Sequence, residues 1–150
     1  MFILGKSMIC KNGHYLSCFS GNFCNICGAE TIDSCTYCSE EIPLLDSPGI
    51  VKNYNVPSYC SNCGKPFPWT QTLIETAEAI VHEDELLSEE QMTEWCACFP
   101  DIICITPKTQ LALIRYKKFI DKAASTTANG LKDLFKDVVS EAIKKALFDL

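Results

Sequence analysis

Apolar residues recur at helical spacing through the second half of the chain but not through the first. Leu73, Ile74, Ala77, Ile80 and Val81 fall on one helical face, with Thr70 placed to cap it. Ser88-Glu89-Glu90-Gln91 has the form of a capping box and should start a short helix that ends before Pro100. Thr106-Pro107, a cap followed by a first-turn proline, opens a helix running to about Ala124. After Ala128-Asn129-Gly130, the positions Leu131, Leu134, Phe135, Val138, Val139, Ala142, Ile143, Ala146 and Leu147 keep the period closely and predict a final helix. The pattern changes at Pro66-Phe67-Pro68-Trp69. Before it, Tyr15 to Phe23 is rich in β-formers and contains the turn pair Gly21-Asn22, while Ile42–Leu45 and Ile50–Val56 flank Asp46-Ser47-Pro48-Gly49. The expected class is α+β: short β-hairpins and knuckles in residues 1–66, then a domain of three to four helices in 67–150.

Cysteine changes this picture most. Eleven cysteines lie in 150 residues, most of them before residue 64. Such density signals disulfides in an oxidising compartment and metal in a reducing one. The odd count, the C-x-x-C pairing and an N-terminus without a basic n-region or a full signal h-region favour metal. Cys24/Cys27, Cys35/Cys38 and Cys60/Cys63 are C-x-x-C pairs, each able to aim two sulfurs at one point, and Cys10-x-x-x-His14 supplies a fourth pair. Zinc takes four thiolate or neutral imidazole ligands in a tetrahedron. Cys10, His14, Cys24, Cys27, Cys35, Cys38, Cys60 and Cys63 therefore suffice for two closed sites.

The form aromatic-C-x-x-C-Gly occurs at Phe23–Gly28 and again at Tyr59–Gly64, as if closing two tandem units. This repeat favours sequential pairing of the ligand pairs. A crossed arrangement, first with third and second with fourth, stays open. His14 also has a plain reading as a turn histidine beside Asn12-Gly13, with Cys18 as a substitute ligand. A lone cysteine in a β-prone stretch, however, more often packs as a small hydrophobe. Cys96, Cys98 and Cys104 read the same way, and Cys96-Ala97-Cys98 is too tight for an ordinary zinc pair. His82 beside Glu83-Asp84-Glu85 reads as solvated surface.

Charge is polarised. The chain carries −6 in all; residues 1–70 carry −1, residues 71–105 carry −9 without a Lys or Arg, and residues 106–150 carry +4. Two filled sites would bring the total to about −9. That sign disfavours general affinity for nucleic acid, though not a local basic face. No apolar run approaches the roughly 20 residues needed to cross a bilayer. The expectation is a soluble protein of the cytoplasm.

The stretches Ile9–His14, Phe23–Gly28, Thr31–Cys38 and Tyr59–Thr70, the last containing Cys63-Gly64-Lys65-Pro66-Phe67-Pro68-Trp69-Thr70, resemble a bacterial zinc-ribbon family catalogued as domain of unknown function 2321. The resemblance extends into the helices through Thr106-Pro107-Lys108-Thr109 and Lys144-Lys145-Ala146-Leu147. It implies a zinc-ribbon fold and the eight ligands named above, and no activity. Cys18, Cys96, Cys98 and Cys104 fall outside its motifs.

These features point to a zinc-binding, non-enzymatic adaptor with two structural Zn2+ ions. It would bind a protein partner and could self-associate through its C-terminal helices. Neither a Ser/His/Asp set nor H-E-x-x-H occurs, and two histidines leave little for acid–base work once one is a ligand. Two alternatives compete. The four-cysteine site could hold a single iron as in a rubredoxin-like electron carrier, although the Cys3His companion favours zinc. The basic, aromatic-interleaved run Arg115-Tyr116-Lys117-Lys118-Phe119 with Lys122 could instead contact nucleic acid.

Overall fold

The computed structural model describes residues 7–16, 19, 21–43 and 56–148. Among these described residues three short strands come first: β1 (Met8–Cys10), β2 (Tyr15–Leu16) and β3 (Thr31–Ile32). Six helices follow: α1 (Pro68–His82), α2 (Glu89–Cys96), α3 (Phe99–Ile103), α4 (Thr109–Ile120), α5 (Ser125–Phe135) and α6 (Glu141–Phe148). The class is α+β, as the pattern predicts. The chain separates into two units, Met1–Thr72 and Leu73–Leu150, and the division falls inside α1.

In the first unit β1 is the central strand of an antiparallel sheet ordered β2-β1-β3. Ile9 sits opposite both Tyr15 and Ile32, and Cys10 sits opposite Thr31. Successive strand residues point to opposite faces, so this one strand serves two small cores. Ile9 packs with Cys35, Ile42, Cys60 and Phe67; Cys10 packs with Leu16 and Cys24. Strands of two or three residues are too short to show alternation in the sequence, so β1 and β3 were not legible from pattern. The strand pair expected around Asp46–Gly49 lies outside the described residues, as does Cys18.

The first turn of α1 belongs to this unit. Pro68 occupies the first helical position, where its fixed φ and missing N–H are tolerated, and the Phe67 carbonyl accepts the Gln71 N–H at 3.0 Å. Thr70 is therefore a buried residue within the first turn and not the cap that the sequence suggested. Trp69 stacks on Phe67 with centroids 4.9 Å apart, and its indole N–H donates to the Pro57 carbonyl at 2.8 Å. Gly13 has φ +93°, and a Cβ there would stand 3.1 Å from Trp69 Cβ. Backbone conformation and close approach both require glycine at this position.

The second unit is built on an apolar core that runs from Ala77 and Val81 through Trp95, Phe99 and Ile102 to Tyr116, Phe119, Leu131, Phe135, Val139 and Ile143. Its centre is aromatic. Trp95 meets Tyr116 edge-on at 5.4 Å and Phe119 at 6.0 Å, and Phe99 meets Phe135 at 5.4 Å. The predicted capping box is present: Ser88 Oγ accepts from Gln91 N–H at 3.2 Å, and Gln91 Oε1 accepts from Ser88 N–H at 2.9 Å. Thr106-Pro107 does not open α4 as expected: the Thr106 hydroxyl accepts the Lys108 N–H at 3.1 Å in a turn, and the helix starts after N-cap residue Lys108 and ends at Ile120.

Six helices replace the three or four expected, for two identifiable reasons. A short α3 follows α2 directly, with Pro100 near its start where proline is tolerated. The predicted final helix is divided between α5 and α6. α5 begins before Asn129-Gly130, because Asp84 reaches it from forty residues away: Oδ2 accepts from Ala124 N–H at 2.9 Å and from the Thr127 hydroxyl at 2.6 Å. Ala124 is the N-cap residue and has no side-chain oxygen; Asp84 takes its backbone N–H, the group that a capping-box partner at the third helical position would otherwise accept. The chain then breaks at residues 136–140. There the Phe135 carbonyl takes both the Val138 and Val139 N–H groups, and Ser140 Oγ lies 3.4 Å from the Ile143 N–H at the start of α6. Phe135, Val139 and Ile143 stay buried through the break, which explains why the apolar period runs on unbroken. Val138, expected in the core, is 44% exposed.

Candidate metal centres

Three turns of the first unit share one conformation. At Cys24, Cys35 and Cys60 the cysteine N–H donates to the carbonyl five residues on, and its own carbonyl accepts the N–H four residues on, at Gly28, Ser39 and Gly64. Those three residues all have positive φ, +78°, +64° and +74°. Glycine adopts this region freely, so the two C-x-x-C-G segments announce the turn, whereas Ser39 adopts it against its preference. Isolated bridges close each knuckle, pairing Phe23 with Glu30, Ser34 with Glu41 and Tyr59 with Pro66. The fourth ligand turn is tighter: Gly13 N–H donates to the Cys10 carbonyl at 2.8 Å and Cys10 N–H to the His14 carbonyl at 3.0 Å.

These turns gather the eight predicted residues into two groups, Cys10/His14/Cys24/Cys27 and Cys35/Cys38/Cys60/Cys63. In each, the four ligand atoms lie within 4.8 Å of one another. Of the two arrangements the sequence left open, the structure adopts the sequential one. The separations are informative. Cys10 and Cys27 sulfurs are 3.7 Å apart, Cys35 and Cys63 3.7 Å, and Cys38 and Cys60 3.6 Å. A tetrahedron with metal–sulfur bonds of about 2.3 Å has edges of about 3.8 Å, and one sulfur–nitrogen edge would be about 3.6 Å. Nδ1 of His14 stands 3.4 Å from Cys10 Sγ and 3.7 Å from Cys24 Sγ. Bonded sulfurs would be about 2.05 Å apart. The donor sets therefore fit a tetrahedral, thiolate-seeking ion.

The family model described as an uncharacterized protein conserved in bacteria (DUF2321) matches residues 4–147. The chain belongs to this family. No curated protein and no solved structure matches it.

The surroundings of the sulfurs in this DUF2321 chain are uneven. In each knuckle the first cysteine points inward and is buried, as at Cys24, Cys35 and Cys60, while Cys27 and Cys63 are exposed. The inner sulfurs accept backbone N–H groups, Ile26 to Cys24 at 3.3 Å, Tyr37 to Cys35 at 3.4 Å and His14 to Cys10 at 3.3 Å. Hydrogen bonds from the Ala29 backbone and the Asn12 side chain bring the Cys27 thiol down to about 6. The Asn62 side chain and the Glu40 backbone do the same for Cys38, also to about 6. Burial pushes Cys10 up. The Lys65 backbone favours the Cys63 thiolate, but desolvation and the sulfurs of Cys35, Cys38 and Cys60 carry it up to about 11. One sulfur per group is thus ready as thiolate near neutral pH, the form that takes a metal ion.

Asn12 and Asn62 were missed in the sequence. Asn12 reads there only as half of an Asn-Gly turn signal, and Asn62 as a spacer between ligands. Among the described residues, Cys96, Cys98 and Cys104 belong to neither group. Cys98 is buried with its thiol 3.5 Å from the Glu94 carbonyl, and burial followed by Glu78 raises Cys96 to about 11. Both are protonated packing residues, and His82 is exposed. In the basic run of α4, Tyr116 and Phe119 are fully buried. They are core residues and present no ring to a base, which leaves the alternative nucleic-acid reading with Arg115 and the lysines alone.

Proposed function

We propose that this protein is a zinc-binding, non-enzymatic interaction module: two structural Zn2+ ions fold the double ribbon, and the helices bind a protein partner. The observation that carries the reading is that both groups supply four protein ligands at tetrahedral spacing. Closed four-ligand sites keep no position for water or substrate, which separates structural from catalytic zinc. Thiolate sites of this kind persist in a reducing compartment, so we place the protein in the cytoplasm. In this reading residues 1–66 fold on metal binding and residues 67–150 fold on their own core. The partner face is the groove between α4 and α6, lined by Ile105, Leu113, Ile114, Ile143 and Ala146, with Lys117 at its rim. Ile105 and Ile114 are 73% and 60% exposed there, and the lysine suits an amphipathic helix with an acidic flank.

Affinity capture from a native lysate, with metal content measured on the same sample, tests both halves. Two equivalents of zinc per chain and a partner lost on Ile114→Glu support the reading. One equivalent or none removes its first half, and capture indifferent to Ile114 removes its second. The four-sulfur group also favours a second reading, a single iron in place of zinc. Visible absorbance of freshly purified protein separates the two.

A further inference from the structure

The first metal group holds a device that the ligand spacing does not announce. Asn12 lies in the turn that carries Cys10 and His14, and its Nδ2 donates to Cys27 Sγ in the opposite turn at 3.3 Å. A side-chain amide thus crosses from one ligand pair to the other. It reaches the second sulfur of a C-x-x-C turn, where the first sulfur accepts the Ile26 N–H from within its own turn. Cys27 is exposed, whereas Cys10 and Cys24 are buried. A sulfur so placed is the one that solvent, protons and competing chelators reach first.

We propose that Asn12 is a positioning residue of the Cys10/His14/Cys24/Cys27 site, clamping the outer thiolate of Cys27 across the tetrahedron and thereby slowing metal loss. The proposal rests on the metal-binding reading above. A metal-bound thiolate keeps part of its negative charge, and an N–H donor stabilises that charge without competing for the metal. Because the donor is anchored on the opposite ligand turn, stretching the metal–sulfur bond also breaks the hydrogen bond. Detachment of Cys27 then costs two interactions in place of one. Partners around metal ligands commonly account for about 10–100-fold in metal affinity.

The test uses the full chain loaded with zinc and, separately, with cobalt(II). Asn12→Ala is made with Asn25→Ala as a control of the same type in the turn between Cys24 and Cys27. Asn12 has no positive φ, so alanine is sterically accommodated. Zinc transfer to a chromophoric chelator should resolve two phases. Asn12→Ala should speed one of them by about 10–100-fold and leave the other unchanged. In the cobalt form Asn12→Ala should shift the thiolate charge-transfer band of its site to lower energy, because the freed sulfur becomes a stronger donor. Asn12→Gln, which keeps the amide, should recover part of the wild-type rate. Release rates and charge-transfer bands that match wild type in Asn12→Ala would overturn the proposal while leaving the metal reading intact. A wild-type chain that takes up neither metal would overturn both.

Discussion

The two units of this chain solve the same problem with different materials. Among the described residues, the larger apolar cluster of the ribbon unit has five buried members, and two of them are the ligand cysteines Cys35 and Cys60. The cluster of the helical unit has sixteen, five of them aromatic rings at or near van der Waals contact. A segment as small as the ribbon cannot bury enough surface to offset its conformational entropy, so ligand bonds must replace packing. The helical unit has no such need. On the proposed metal-binding reading, the ribbon owes its stability to a ligand supplied from outside the chain, and the helices owe theirs to the chain alone.

Metal removal breaks the comparison most severely. A strong chelator should abolish the ribbon structure, since structural zinc supplies apparent binding energies of about 10–16 kcal/mol in small ribbons. Far-UV circular dichroism should keep most of its helical signal, while fluorescence from Trp69, stacked on Phe67 in the ribbon unit, should change to that of an exposed indole. Loss of both signals in one cooperative step would show that the units do not stand separately.

Phe135→Ala attacks the other side. The ring is fully buried against Phe99 and Tyr116, and its removal should destabilise the helical unit by about 3–5 kcal/mol in denaturant titration. A variant that kept its stability but lost a partner or a dimer would make this surface an interface and not a core.

Asp84 sharpens the comparison through pH. Burial opposes its charge, but the Thr127 hydroxyl and the Ala124, Leu86 and Leu87 N–H groups outweigh that opposition and hold the carboxyl below its ordinary range. A carboxyl lowered on folding contributes stability above its unfolded value, near 4, and loses it as pH falls through the folded value. The helical signal should therefore melt earlier below about pH 4, where thiol protonation also empties the metal sites. Asp84→Ala should cost about 1.5–3 kcal/mol at neutral pH and flatten that acid limb. An unchanged acid limb in the variant would show that some other group controls it.

The smallest effect is a gain. Ser39 stands at φ +64° where the two sister knuckles have glycine. Ser39→Gly should raise the metal-loaded ribbon's stability by about 0.5–1 kcal/mol, read as slower unfolding at fixed zinc. Equal or lower stability would mean that the serine side chain makes a compensating bond.

What was legible in the sequence was what depends on near neighbours. C-x-x-C followed by glycine describes a turn closed within six residues, and Ser88 with Gln91 describes a cap closed within four. The helical period of Leu131, Phe135, Val139 and Ile143 marked which residues face the core even where the helix itself does not continue. Less legible were contacts whose two halves lie far apart. Thr70 looks like a cap until Pro68 and Phe67 are seen to start α1. Asn129-Gly130 looks like a stop until Asp84 is found capping α5 from another turn.

By itself the sequence determined the class, the eight candidate ligands and the contrast between a cysteine-stapled half and an apolar half. Each of these is carried by residue type and short-range spacing, which survive in a linear string. Only the tertiary structure decided which pairs of ligands share a centre. It also decided that one strand, with Ile9 on one face and Cys10 on the other, backs both groups, and that Asn12 reaches across the first. Those outcomes depend on where separate turns are brought together in space, and a side chain four atoms long can bond across a gap that no spacing rule records.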